Sequence, residues 1–249
     1  MRRLPLLTVL LCGCFRLPPT PTPMAFVADP MPDRAKAKCL LVLLPGARDR
    51  AGDFRDEHFI EDIRASGLSV DVVSADATMG YYLKTIAARR LEEDVIGPAR
   101  ARGYAQVWLL GISMGGYGTF NYTQNFPEHV DGIAAFAPYL GAEEVVQSIR
   151  EAGGLAKWTP PPVEPVNETN HSVQLWGYLQ RITSGQLPRP ELYLGCGDED
   201  RMSKSVAVLA AVLPKDRILT TPGGHTWGPW RELLDQFLKT SVFKERCAP

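Results

Sequence analysis

Short apolar runs at residues 38–44, 68–74, 107–110, 132–137, 191–195 and 217–220 punctuate the chain, each ending in glycine, proline or a polar turn. The runs are continuous rather than alternating, as expected of strands covered on both faces in a parallel sheet. Between them the periodicity turns helical. Phe54, Phe59 and Ile63 predict a helix over 54–66 with Gly67 as its stop, and 85–96 reads as a helix broken near Gly97-Pro98, with a further turn up to Gly103. Further helices are expected from Ser113 to about 126, over 203–213 and over 226–238. Strands separated by helices imply right-handed crossovers, hence an α/β fold with a mostly parallel sheet and helices on both faces. The rhythm loosens over 143–190, where Gly153-Gly154, Pro160-Pro161-Pro162 and Pro165 bound loops around one short helix at 173–182. That stretch is too short and too proline-rich for a core of its own, so it reads as a small lid-like insertion in one domain spanning 24–249.

Residues 1–23 follow a different pattern. Arg2-Arg3 precedes an apolar stretch over 4–11 that is too short to span a bilayer permanently, then Cys12-Gly13-Cys14 and a Pro/Thr tether over 17–23. This reads as a signal peptide or lipoprotein leader, with the cysteine pattern resembling a bacterial lipobox. A lipidated Cys14 would attach an exported protein to a membrane. Translation starting at Met24 or Met31 would instead leave a cytoplasmic protein.

Composition mainly excludes. A net charge of −1 gives no electrostatic reason to expect nucleic acid. Outside the leader lie Cys39, Cys196 and Cys247, with no metal-ligand spacing, so no metal is expected. Cys39 should open one strand and Cys196 follow the end of another, at opposite sheet edges. A bridge between these two is therefore not expected, and both are expected to be small buried apolar residues. Neither a Walker A loop nor a dinucleotide G-x-G-x-x-G is present, and no cofactor is implied.

The chemistry concentrates at Gly111-Ile112-Ser113-Met114-Gly115, which follows an apolar run and precedes a helical segment. A sharp strand-to-helix turn at Ser113 would lift its hydroxyl above the strand end, and a Cβ at Gly111 or Gly115 would collide with its neighbours. The next helix points free N–H groups and its positive dipole end at the same place. A serine hydroxyl needs a base. Of the four histidines, His225 follows the last apolar run on a Gly223-Gly224 hinge, whereas His58, His129 and His171 lie in helical or polar segments. Asp198, Glu199 and Asp200 follow another run and supply an acid.

These motifs, with Gly223-Gly224-His225-Thr226-Trp227-Gly228-Pro229-Trp230, resemble the α/β-hydrolases, and more narrowly small bacterial serine esterases ending in G-G-H-x-W-x-x-W. The resemblance covers about residues 38–240. It implies an α/β-hydrolase fold and a triad in the order nucleophile, acid, histidine. Counted from Gly197, the family's G-x-x-D spacing reaches Asp200; counted from Gly195 it reaches Asp198. The commoner glycine–acid–x–acid form favours Asp200. The resemblance also implies an oxyanion hole from the Met114 amide and the Ala47 amide, the latter in the Pro45-Gly46-Ala47 loop where relatives carry His-Gly-x. Tyr81, after the second strand, and Trp227, after the histidine, are candidate substrate contacts. The expected activity is hydrolysis of small carboxylic esters through an acyl-enzyme. The same machinery serves thioesterases, acyltransferases and peptidases, and a hydrolase fold can persist as a non-catalytic surface binding protein.

Overall fold

The computed structural model describes residues 19–33, 37–162 and 170–249. Its centre is a seven-stranded sheet of β1 (Phe26–Asp29), β2 (Cys39–Leu44), β3 (Val70–Ala75), β4 (Gln106–Ile112), β5 (Gly132–Phe136), β6 (Glu191–Gly197) and β7 (Ile218–Thr221). The spatial order is β1-β3-β2-β4-β5-β6-β7, with β1 antiparallel to β3 and every other pairing parallel. Every residue of β2, β3 and β5 is buried, because helices cover both faces. The one carboxylate among them, Asp71, accepts hydrogen bonds from the Met31 amide and the Tyr104 hydroxyl, both at 2.7 Å.

Strand order decides where a site can form. The chain lays down β2, moves outward to β3, then returns to place β4 on the other side of β2. The connections leaving β2 and β4 therefore diverge to opposite faces and open a crevice at their carboxyl ends. Pro45-Gly46-Ala47 leaves β2 there, and Ser113 leaves β4.

Several local expectations change. The helix expected over 54–66 divides into Asp53–Asp56 and Phe59–Ala65, since His58 adopts a left-handed φ of 64°. The break expected at Gly97-Pro98 is absent. Ala87–Leu91, a π-turn at Glu92–Ile96 and Gly97–Arg100 form one path. The wider π-turn just ahead of Pro98, which has no N–H to donate, lets the path continue through it. A Cβ on Gly97 would come within 2.7 Å of the Glu92 carbonyl oxygen, so glycine suits this turn. The insertion carries two helices, Glu143–Glu151 and His171–Thr183, each burying apolar residues such as Ile149 and Trp176 against the common core.

Cysteine pairing is a correction. Cys39 is not a free apolar residue but is bonded to Cys247, 208 residues away. The closing helix Ser241–Arg246 carries Cys247 to the start of β2, where its carbonyl accepts the Ser69 amide at 2.7 Å. Cys196 is free and buried. Closing so long a loop restricts the unfolded chain, so Cys247→Ser should cost about 2–4 kcal/mol. Urea midpoints measured with and without reductant check this: the wild type should fall towards the variant when reduced, and an unchanged midpoint counts against it.

Cys14 and most of the leader lie outside the described residues. The end of the tether rests on the body: the Tyr81 hydroxyl donates to the Pro21 carbonyl and Lys84 Nζ to Thr20 Oγ1, both at 2.6 Å. No helix among the described residues is long and apolar enough to cross a membrane.

Candidate active site

Ser113 sits at φ 54°, ψ −113°, a strained conformation for a residue with a Cβ. Two backbone bonds hold the turn: its N–H donates to the Phe136 carbonyl at 2.9 Å, and its carbonyl accepts the Tyr139 amide at 2.8 Å. The flanking glycines are obligatory. A Cβ on Gly111 would stand 2.2 Å from the Gly115 carbonyl oxygen, and one on Gly115 would stand 2.0 Å from that of Leu44. The helix Met114–Asn125 begins immediately, so its first amides have no intrahelical partner and face the serine.

His225 reaches this hydroxyl from the loop after β7. Its Nε2 lies 3.0 Å from Ser113 Oγ, and its Nδ1 lies 2.9 Å from both carboxylate oxygens of Asp200. A carboxylate only accepts, so Nδ1 carries the ring proton and Nε2 is left to accept from the serine. Asp200 is 2% exposed and also accepts the Met202 amide at 2.8 Å, which fixes its rotamer. The rings of Trp230 and His225 stand perpendicular at a 4.9 Å separation.

Asp198 has another task. Its Oδ1 accepts the Gly223 amide at 2.9 Å, tying the acid loop to the histidine loop where Gly223 turns at φ 103°. Cys196 precedes the acid loop in β6 and is buried. Burial and the Asp200 charge push its thiol up to about 12, leaving it neutral and unreactive at physiological pH.

A cavity of about 610 Å³ opens over Ser113, with Ala47 and Met114 on its wall. Both residues expected to stabilise an oxyanion therefore flank the nucleophile. Tyr81 does not: its hydroxyl is held by Pro21, and its neighbour Tyr82 borders the cavity instead. Trp227 also turns away from the cavity, packing edge-on against Phe54 and Phe59. The aromatic residues at the cavity beyond Tyr82 are Tyr117, Phe126, Tyr139 and His171, the last a residue that the sequence placed among polar bystanders. Of the other histidines, His58 pairs with Glu61 and His129 with Glu92. Among the described residues no cluster of His, Cys, Asp or Glu could hold a metal ion.

The family follows from this chain's own sequence. Residues 97–240 match the Esterase family, described as "Putative esterase". The chain belongs to this esterase family. It is a carboxylesterase-like serine hydrolase acting on ester bonds. No curated protein matches the sequence. Among solved structures the esterase is similar to Est1E from Butyrivibrio proteoclasticus, with a TM-score of 0.61 at 16% identity over 90% of this chain and 94% of that one. It is also similar to an S-formylglutathione hydrolase from Agrobacterium tumefaciens, with a TM-score of 0.59 at 16% identity over 90% of each chain. An S-formylglutathione hydrolase from Staphylococcus aureus gives 0.56 at 14% identity over 80% and 79%. At such identities the likeness is one of fold.

Asp49 is a residue that no sequence motif singled out in the esterase. It lies in the loop after β2, where its N–H donates to the Gly46 carbonyl at 3.2 Å and its carboxylate accepts the Trp227 indole N–H. Burial raises its carboxyl above the ordinary value and the Asp53 charge adds to this, while His225 and the Trp227 bond act in the opposite sense. A carboxyl raised on folding destabilises the fold once ionised, a cost present above the folded value and absent below the unfolded one. Asp49→Asn keeps the acceptor for Trp227 and removes the charge. Its melting temperature should exceed the wild type's at pH 7, with the gap closing as pH falls below the ordinary value of 3.8. A lower melting temperature at pH 7 would contradict this account.

Proposed function

We propose that the esterase cleaves small carboxylic esters through an acyl-enzyme on Ser113, with His225 as general base and Asp200 as its partner. Ser113 Oγ attacks the ester carbonyl while its proton passes to His225 Nε2. Asp200 holds the Nδ1 proton and stabilises the imidazolium that forms. The Met114 and Ala47 amides take the charge that develops on the carbonyl oxygen. The imidazolium then gives its proton to the departing alcohol, and water repeats the sequence on the acyl-enzyme.

The observation that carries this reading is the unbroken contact from Asp200 through both imidazole nitrogens to Ser113 Oγ, at 2.9 and 3.0 Å. Met79, Leu83, Ala87 and Ala88 give the cavity apolar surface suited to an acyl group, with Thr85 and Arg89 from the same stretch also on its wall. Arg201 and Met202, which follow Asp200 directly, line it as well. A fluorophosphonate probe tests the nucleophile: the adduct should map by mass spectrometry to Ser113, and block turnover of p-nitrophenyl acetate. An adduct on any other residue, or none, refutes the assignment.

A further inference from the structure

The loop that carries the Ala47 amide has no polar side chain of its own to hold it. Pro45, Gly46 and Ala47 offer none, and the Arg48 that follows is exposed. Two residues further on, the chain is fixed again. The Arg50 amide donates to Asp53 Oδ2 at 2.8 Å, and the Ala51 amide donates to Asp76 Oδ1 at 3.2 Å. Asp49 lies between the loop and this fixed end, and it is half-buried where a solvated loop carboxylate would be exposed. Its main chain and its side chain both turn back on Gly46.

The main-chain contact fixes a direction. The Asp49 N–H donates to the Gly46 carbonyl at 3.2 Å. That carbonyl and the Ala47 N–H belong to one planar trans peptide unit, in which they point opposite ways. Holding the carbonyl towards Asp49 therefore sets where the Ala47 amide points. The side-chain contact fixes a position. A Cβ on Gly46 would stand 2.4 Å from Asp49 Oδ2 and 3.7 Å from Ser113 Cβ, so the carboxyl and the nucleophile's residue pack against the same side of Gly46. Only a residue without a side chain admits the carboxyl there. The same group accepts the indole N–H of Trp227, two residues after His225 at the start of the closing helix. Trp227 is held edge-on against Phe54, Phe59 and Trp230 at ring separations of 5.3 to 5.4 Å, which makes it a fixed post for the loop.

We infer that Asp49 is a positioning residue for ester hydrolysis, clamping the Gly46–Ala47 peptide between the Ser113 turn and Trp227 so that the Ala47 amide is aimed before the oxyanion forms. This rests on the proposed roles of Ser113 as nucleophile and of the Ala47 amide as an oxyanion donor. The clamp needs an acceptor oxygen rather than a charge, because an amide oxygen also accepts from an indole N–H. An oxyanion donor acts only once charge has moved onto the carbonyl oxygen. Loosening it therefore slows the chemical step without weakening the binding of the uncharged ester.

The test compares three variants on p-nitrophenyl acetate. Asp49→Ala removes the acceptor and the contact with Gly46, and should lower kcat by roughly 10- to 100-fold with KM within about threefold of the wild type. Asp49→Asn keeps the oxygen and should stay within about threefold of the wild type in kcat. Trp227→Phe removes the donor while keeping a ring against Phe54 and Phe59. It should lower kcat as well, and adding it to Asp49→Ala should cost nothing further, since both break one contact. It also gives the reading should Asp49→Ala fail to fold. A trifluoromethyl ketone, which a serine nucleophile converts to a hemiketal bearing the oxyanion, supplies a second measurement: its Ki should rise by the factor by which kcat falls. A merely structural Asp49 would move the melting temperature and leave kcat of the folded enzyme unchanged. Wild-type kcat in Asp49→Ala or in Trp227→Phe, a loss in Asp49→Asn as large as in Asp49→Ala, or a ketone Ki unmoved by Asp49→Ala would overturn the clamp. Turnover that survives Ser113→Ala fells the hydrolase mechanism and the clamp with it. An inactive Ser113→Ala beside a fully active Asp49→Ala refutes the clamp alone.

Discussion

Ser113→Ala should give a folded protein whose kcat on p-nitrophenyl acetate is lower by roughly 10⁴-fold or more. Alanine keeps the Cβ and therefore the same backbone demand at φ 54°. The substitution removes one hydroxyl and its 3.0 Å contact with His225. The buried surroundings lose a single oxygen, so stability should change by about 1 kcal/mol or less. What remains, the Met114 and Ala47 amides and the shaped cavity, gives at most the modest residual catalysis of a site without a nucleophile. The check is a paired measurement of steady-state rate and thermal melting. A variant that melts like the wild type and still turns over at more than about one hundredth of its rate would place the nucleophile elsewhere.

The second large effect separates two carboxylates. Asp200→Asn should lower kcat by roughly 10⁴-fold, whereas Asp198→Asn should lower it less than about tenfold. Asp200 presents both oxygens to Nδ1 at 2.9 Å, so an asparagine there must turn its NH₂ or its oxygen to the ring. Its Oδ1 also accepts the Met202 amide, which holds the oxygen at that position and favours NH₂ towards the other. A donor facing Nδ1 drives the imidazole proton to Nε2, where it cannot accept from serine. Asp198 receives only a backbone N–H, from Gly223, and an amide oxygen accepts it equally well. Equal losses in the two variants, measured on the same ester at neutral pH, would defeat this division of roles.

Local rules made much of this molecule readable. The apolar runs marked six of the seven strands, because a parallel strand buried on both faces leaves continuous hydrophobic sequence. β1 left no such mark. It is a four-residue edge strand with alternating exposure, and its pairing with β3 supplies what its composition does not. The glycines around Ser113 were legible because the turn needs them whatever lies further off. Tyr81 and Tyr82 were not separable in that way. Adjacent helical residues point about 100° apart, so only the packing of residues 20–21 on one side and of Met114–Asn125 on the other decides which tyrosine meets the cavity.

By itself the sequence determined the kind of chemistry: a serine on a strand-to-helix turn, an acid loop and a histidine loop in that order, on a parallel sheet. Each of those features is written in a few consecutive residues, where backbone geometry and hydrophobic periodicity act. Tertiary structure alone decided that Asp200 rather than Asp198 faces His225, that Cys39 pairs with Cys247, and that Asp49 joins the loop after β2 to Trp227. These are distances between segments far apart in the chain, set by how the loops and helices pack around the sheet, and no local pattern encodes them.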